Sequence, residues 1–384
     1  MKKTFLLAGL LCFFVLIAAC GNDQEQNGPH VPQEVNQEIN QETDQSINRD
    51  ANQTADPDDP DFSEEIADMP TRFRAFSFEY FDTLTQIIGY AYSQEEFDYF
   101  LDIILSEIRS LHLLFDIYNE YPGIANIRTI NQNAGISPVE VDFPLFELIA
   151  FSIEAHFDTK GAVNIALGPV LEIWHYHRHA EIPALPDMET LYAANAYTNI
   201  HDIILDRQNS TVFLPYRNMS LDVGGVAKGF ALDIAANRAI HAGFQSFLIN
   251  MGGDVITANP PPGREFWGVA VEDPTGASDM IDVVSVSNMA VLVSGDYRRY
   301  FTVDGVSFSH LIDPQTLMPA RHFRSVTVIH PRAIIAEFLS TAVFIMDIEE
   351  GKALLALHNA DAIWYTYDGQ IITTPGYSRF SERF

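Results

Sequence analysis

The sequence predicts an α+β fold: one large domain over residues 70–384, behind a short apolar leader and a polar tether. Strand-like stretches interleave with helix-like ones, but without the regular alternation of a doubly wound parallel sheet. The run from Arg332 to Met346 is nearly all apolar and of helix length, which marks a buried helix rather than a surface one. Residues 70–384 contain no second linker, heptad pattern or tandem repeat, so one domain is a better reading than two.

Taken in order, Phe76 to Tyr90 carries aromatic and β-branched residues and reads as an opening hairpin. Gln94 to Tyr118 spaces Phe97, Phe100, Leu101, Ile104, Leu105, Ile108 and Leu111 as an amphipathic helix does. Val141 to Ala155 reads as a second helix, with Pro144 in its first turn. Val212 to Leu214 is a short strand, and Lys228 to Ala242 a helix that Gly243 terminates. Phe247 to Asn250 is a strand running into Gly252-Gly253-Asp254. Val283 to Ser294 and Tyr300 to Asp313 read as strands, the second folded at Asp304-Gly305. Val326 to Ile329 is a strand before the buried helix. His175, His177 and His179 alternate as in a strand or loop, and with no cysteine beside them they make no zinc pattern.

The leader, residues 1–19, begins with Lys2 and Lys3, continues as an apolar run and is too short for a confident membrane span. Its end, Leu16-Ile17-Ala18-Ala19-Cys20-Gly21, resembles a bacterial lipobox, so Cys20 is expected to carry lipid and hold an exported protein at the outer face of the cytoplasmic membrane. Cys12 is the only other cysteine and lies within the leader, so the mature chain has no disulfide framework. Residues 20–69 are rich in Asn, Gln, Asp and Glu, and such a composition buries too little apolar surface to offset its ordering entropy. They read as a flexible tether. With 52 acidic against 22 basic residues, a net charge of −30, the chain is a poor partner for nucleic acid.

Three short stretches carry chemistry. Leu221-Asp222-Val223-Gly224-Gly225-Val226-Ala227-Lys228-Gly229 is a glycine turn opening a helix, where backbone amides and Lys228 suit an anionic diphosphate. Its spacing is neither a Walker A loop nor a dinucleotide-binding turn. Ser309-His310-Leu311-Ile312-Asp313-Pro314 sets a histidine at a strand end, where it can serve as a general base near neutral pH. Glu337, Ser340 and Thr341 form one polar spot on the apolar helix. A buried carboxylate there needs a cation or hydrogen-bond donors, and its oxygen-rich surroundings suit Mg²⁺.

In this order the motifs resemble the ApbE family, the FAD:protein FMN transferases. The likeness rests on Gly161-Ala162-Val163-Asn164 with Gly168-Pro169, on Leu221 to Asp233, Leu248 to Asp254, Ser294 to Tyr300, Ser309 to Pro314 and Ala336 to Thr341, and spans nearly all of Phe76 to Tyr377. It implies Mg²⁺-dependent splitting of FAD, with FMN transferred through a phosphoester to a threonine hydroxyl of an acceptor redox protein and AMP released. By position it makes His310 the base and Asp222, Lys228, Ala162, Val163, Asn164 and Ile312 the FAD contacts. It makes Glu337, Thr341 and the Gly225 carbonyl the metal shell, with Ser340 a weaker member. Tyr121, by its distance from Asn131, matches the tyrosine near the isoalloxazine, and Tyr118 is the other candidate.

The chain departs from the family pattern at three places. Glu337 stands where aspartate is usual, Val163-Asn164 where Phe-Asp is usual, and Asp82 where a glycine usually precedes the threonine. Two other functions remain open at this level: an FAD pyrophosphatase that uses water as acceptor, and a flavin-binding lipoprotein without catalysis. Glu272 to Ser278 loosely resembles an acceptor sequence, but Asp-Pro and Thr-Gly there read as turn punctuation.

Overall fold

The computed structural model describes residues 69–384; the leader, Cys20 and the tether fall outside the described residues. In chain order the elements are β1 (Thr71–Ser77), β2 (Thr85–Ala91), α1 (Gln94–Phe115), α2 (Ile127–Gln132), β3 (Val139–Glu140), α3 (Phe143–Asp158), α4 (Gly168–Arg178), α5 (Met188–Asn195), β4 (Ile204–Asp206), β5 (Thr211–Phe213) and α6 (Ala227–His241). They continue with β6 (Ser246–Met251), β7 (Asp254–Ala258), β8 (Trp267–Glu272), β9 (Met280–Val286), β10 (Ala290–Gly295), β11 (Tyr300–Val303), β12 (Val306–Ser309), β13 (Phe323–His330), α7 (Ala333–Ile345), α8 (Ile348–Leu357), β14 (Asp361–Thr366) and β15 (Ile371–Thr373).

The centre is an eight-stranded sheet ordered β1-β2-β6-β7-β10-β13-β14-β15. Every neighbouring pair in it is antiparallel. Strand residues alternate between its two faces, as the period of two requires. Ile87, Ile249, Ile256, Leu292 and Val328 face a layer built from α1, α6 and α7. Ile88, Leu248, Val255, Val291 and Ile329 face the β8–β9 hairpin, with Trp267, Val269, Val284 and Tyr377 completing that layer. A third cluster joins Val170 and Trp174 of α4 to Phe301 and Phe308 of the β11–β12 hairpin and to Ile312 and Leu317. The Trp174 indole N–H donates to the Leu317 carbonyl at 2.9 Å. This small cluster fixes the loop that carries His310.

The mixed α+β architecture agrees with the sequence expectation, and the differences are local. The opening hairpin starts at Thr71, with its turn at residues 78–84. The helix expected to reach Tyr118 stops at Phe115, because the Asp116 carboxylate turns back to accept from the Tyr118 and Asn119 amides at 2.6 and 3.1 Å. The stretch Val283 to Ser294 holds parts of two strands, broken at Asn288 (φ 55°), so that β9 belongs to the outer hairpin and β10 to the central sheet. His175 and His177 lie on α4 and His179 caps it, rather than alternating along a strand. The His175 and His179 rings lie tilted with centroids 4.2 Å apart, one turn removed on a single face. Gly243, at φ 103°, ends α6 as expected, and Asp304-Gly305 forms the β11–β12 turn with both residues at positive φ. Glu272 to Ser278 is a turn in which Asp273 accepts from Thr275 and Ser278.

Candidate functional site

The glycine turn and the apolar helix meet through a ladder of close approaches between α6 and α7. Asp233 accepts from the backbone amides of Ala333 and Ile334 at 2.7 and 3.4 Å. One turn earlier on α6, the Gly229 amide donates to Glu337 Oε2 at 2.5 Å. One turn earlier again, a Cβ on Gly225 would lie 3.7 Å from both Thr341 Oγ1 and Thr341 Cγ2. Positions 229 and 233 of α6 therefore run antiparallel to 337 and 333 of α7 at the four-residue spacing that keeps side chains on one helix face, and Gly225, in the turn before α6, extends the line to Thr341. Gly229 is required by this approach: a Cβ there would stand 2.5 Å from the Ala333 carbonyl oxygen and 2.9 Å from Glu337 Cβ.

Glu337 is 5% exposed, and its carboxylate sits at the N-terminal turn of α6, where the helix dipole favours an anion. Lys228 ion-pairs with Asp254, and its Nζ lies 3.9 Å from Glu337 Oε1. Asp254, 2% exposed, also accepts from the Val293 amide at 3.0 Å. The group thus holds two carboxylates and one ammonium. Burial pushes Glu337 up to about 7 against the pull of Lys228, and Asp254 adds to the rise. Burial also opposes the Lys228 charge, but the carboxylates of Asp254 and Glu337 overcome it and hold its pKa above the ordinary value. Ser340 lies on the same helix, yet its hydroxyl is within 2.9 Å of both Ser294 Oγ and the Glu337 carbonyl and is engaged by the protein. Among the described residues the Thr341 side chain makes no hydrogen bond to protein.

His310 follows the last residue of β12. Its amide donates to the Arg299 carbonyl at 3.0 Å, and its Nδ1 lies 3.2 Å from the same oxygen. That partner assigns the proton to Nδ1 and leaves Nε2 as the acceptor. The ring is half-buried; burial, with the Arg299 and Arg178 guanidiniums, lowers its pKa to about 3, so the imidazole is neutral at neutral pH. The same guanidiniums act on Asp222, whose pKa burial raises and whose Oδ1 accepts from the Gly224 amide at 2.8 Å. The Asp222 amide donates to the Ile165 carbonyl at 2.8 Å, which ties the loop of Ala162, Val163 and Asn164 to the glycine turn.

Within that loop Val163 is buried, and its carbonyl faces His156 Nδ1 at 3.0 Å. Both ends of the Asn164 amide are used, accepting from the Ala166 amide and donating to the Thr198 carbonyl at 2.9 Å each. Ala162 packs at the edge of the main core. Ile312 is buried and bridges to Pro319. The Tyr121 hydroxyl donates to Asp116 Oδ2 at 2.6 Å. Tyr118 is exposed, lies 3.4 Å from His175 Nδ1, and shares the electrostatic surroundings of Asp222, Arg178 and Arg299. Asp254, Asp233, Arg178 and Arg299 escaped the residue-level reading. Asp233, Asp254 and Arg299 fall within the motifs Leu221 to Asp233, Leu248 to Asp254 and Ser294 to Tyr300 but were given no role there; Arg178 had no local signal.

Glycine turn, neutral histidine and buried carboxylate share the positive surroundings of Lys228, Arg178 and Arg299 in an antiparallel α+β domain. The chain belongs to the ApbE family, whose model matches residues 81–364. A protein of Klebsiella pneumoniae (strain 342) named FAD:protein FMN transferase is 32% identical over 263 residues, 67% of this chain and 80% of that protein. One of the same name from Treponema pallidum (strain Nichols) is 31% identical over 266 residues, 65% of this chain and 73% of that one. The crystal structure of the ApbE protein of Thermotoga maritima superposes with a TM-score of 0.74 at 29% identity, covering 81% of this chain and all of that one. The Vibrio cholerae flavin transferase ApbE shares the fold, with a TM-score of 0.71 at 22% identity over 81% of this chain and 99% of that one.

Proposed function

We propose that this chain is an Mg²⁺-dependent FAD:protein FMN transferase that moves FMN from FAD to a threonine hydroxyl of an acceptor redox protein and releases AMP. Membership of a family whose relatives carry that name supports the reaction class. The observation that carries the reading onto this chain's residues is the α6–α7 ladder, which gathers Glu337, Thr341 and Gly225 beside Lys228.

The donor set fits a hard cation. Glu337 is a desolvated carboxylate short of positive charge, Thr341 has an unengaged hydroxyl, and the Gly225 backbone is close by, all oxygen donors of the kind Mg²⁺ takes. Glu337, Thr341 and the Gly225 carbonyl would hold the ion; Ser340 is the weaker candidate because its hydroxyl is already engaged. Bound there, Mg²⁺ supplies charge neutralisation to the diphosphate. Lys228 and the Gly225 amide bind the same diphosphate; the neighbouring Gly224, Val226 and Ala227 amides already donate within the protein. Asp222 and the loop of Ala162, Val163 and Asn164, with Ile312, line the remainder of the FAD site, with Tyr121 or Tyr118 at the isoalloxazine.

His310 Nε2 takes the proton of the threonine hydroxyl. The threonine oxygen forms a bond to the phosphorus of the FMN half. The bond from that phosphorus to the bridging oxygen breaks, and AMP leaves with the electron pair. With Nδ1 held by the Arg299 carbonyl, Nε2 is the ring atom free to accept that proton. The test incubates the chain with FAD, Mg²⁺ and an acceptor bearing the threonine motif. Covalent flavin fluorescence on the acceptor in a denaturing gel is the expected result; its absence while a known transferase succeeds in parallel would overturn the reading. We propose further that the chain is exported and anchored through Cys20. Release of a Cys20→Ser variant from the membrane fraction is the expected outcome, and an unchanged distribution would refute it.

A further inference from the structure

We infer that Asp233 is a positioning residue for the oxygen cluster of Gly225, Glu337 and Thr341, setting the register of α7 against α6; the inference rests on the metal reading above. The residue is 6% exposed, and its side chain spends its acceptors on a neighbouring helix rather than its own. It takes the amides of Ala333 and Ile334, and the Arg332 Nε–H at 2.9 Å. These are the amides that an α-helix leaves unsatisfied at its N-terminus. Arg332, the N-cap residue of α7, offers no side-chain cap of its own, so Asp233 supplies that cap from α6.

The consequence lies one and two turns further along. Asp233 and Gly229 lie one turn apart on α6, as Ala333, Glu337 and Thr341 do along α7, so the rung at Asp233 sets the Gly229–Glu337 rung, and the turn before α6 carries Gly225 to Thr341 beyond it. The Gly229–Glu337 rung is a single hydrogen bond, and the Gly225–Thr341 rung is a van der Waals approach. Neither reaches the first turn of α7, whose Ala333 and Ile334 amides are held by Asp233. Mg²⁺ demands near-ideal octahedral geometry, so a small axial or rotational shift of α7 is felt at the ion before it is felt in the core.

The experiment titrates Mn²⁺ into the full chain, read by its electron paramagnetic resonance, alongside thermal melts and FAD binding by flavin fluorescence. Asp233→Asn is expected to weaken Mn²⁺ binding about tenfold, the scale of a lost outer-sphere partner, while FAD affinity without metal stays within about twofold. Arg332→Met keeps both backbone rungs and is expected to leave the Mn²⁺ affinity unchanged. A role confined to stability would lower Tm and leave the Mn²⁺ affinity of the folded protein intact, and that result overturns the inference. If Asp233→Asn does not fold, Ala333→Pro replaces it. Proline suits the first position of a helix and deletes the Ala333 amide alone; a several-fold weaker Mn²⁺ affinity supports the inference and an unchanged one refutes it. A wild-type chain that binds no Mn²⁺ overturns the metal reading and this inference with it. Wild-type binding matched by Asp233→Asn overturns this inference alone.

Discussion

Replacing Glu337 by glutamine is expected to stabilise the metal-free protein at alkaline pH while removing its response to Mg²⁺. The folded protein raises the pKa of this carboxyl from 4.5 to about 7, chiefly by burial. A raised carboxyl pKa means that the folded state binds the proton more tightly than the unfolded state. Its contribution to stability is therefore complete below the unfolded value and is lost as pH rises through the folded one. Held at about 7 rather than 4.5, the ionised side chain is a burden of roughly 3 kcal/mol at pH 8. The amide of Gln keeps an oxygen for the Gly229 N–H and leaves Lys228 paired with Asp254. A gain of about 1–3 kcal/mol is expected at pH 8, or roughly 2–6 °C in Tm for a domain of this size, and none at pH 5. The assay is a set of melts in chelator at the two pH values, repeated with Mg²⁺. Wild type should rise with Mg²⁺ at pH 8 and Glu337→Gln should not. A variant no more stable than wild type at pH 8 in chelator would refute the reasoning, because Glu337 would then be satisfied by protein groups alone.

His310→Ala should lower transfer by about 10²–10⁴-fold, the usual weight of a general base, with FAD affinity retained in fluorescence titrations. Because the neutral ring is the base and its pKa is lowered to about 3, wild-type kcat/KM should show its acid limb well below the ordinary histidine range. The limb in kcat should lie higher, since bound diphosphate offsets the Arg299 and Arg178 charges; coincident limbs would contradict this. Gly229→Ala forces its Cβ against the Ala333 carbonyl and should cost about 1–3 kcal/mol, the range for overpacking, and raise the Mg²⁺ concentration for half-maximal activity. Lys228→Met strands the buried Asp254 and should cost about 3–5 kcal/mol in urea melts. Adding Asp254→Asn should restore most of that stability but not the FAD affinity; restored affinity would remove Lys228 from the diphosphate site.

What the sequence made legible was local. The apolar run became α7, with 11 of its 13 residues buried. The glycine turn opened α6, and Asp304-Gly305 closed a hairpin, because each depends on residues within a few positions of one another. The strand order was not legible. β2 pairs with β6 and β13 with β10 and β14, and such pairings depend on packing between residues far apart in the chain. α4 was hidden for another reason: its alternating histidines imitate a period of two, whereas Val170 and Trp174, one turn apart, bind it to the β11–β12 hairpin. The electrostatics of the site were equally remote. Lys228 meets Asp254 across 26 positions and Asp233 meets Ala333 across 100, so neither acid announces a partner in its own neighbourhood.

The three positions that the sequence reading expects to depart from the family pattern fall where this fold absorbs such changes. Asp82 stands where a glycine is usual and adopts φ 49°, a left-handed conformation that aspartate tolerates better than most side chains. Asp82 thus takes the conformation a glycine would take there, and its carboxylate is exposed to water. Asn164, in place of aspartate, spends its amide on Ala166 and Thr198, so it holds its loop without adding charge. Glu337 is the consequential change. Its extra methylene reaches the Gly229 amide at the first turn of α6, and that contact makes the carboxylate a strut between the two helices as well as a ligand candidate. Shortening it to aspartate withdraws the strut, so the effect of Glu337→Asp on metal affinity depends on whether α7 is held in register without it. The three amino-terminal donors that converge on Asp233 are the contacts able to do so.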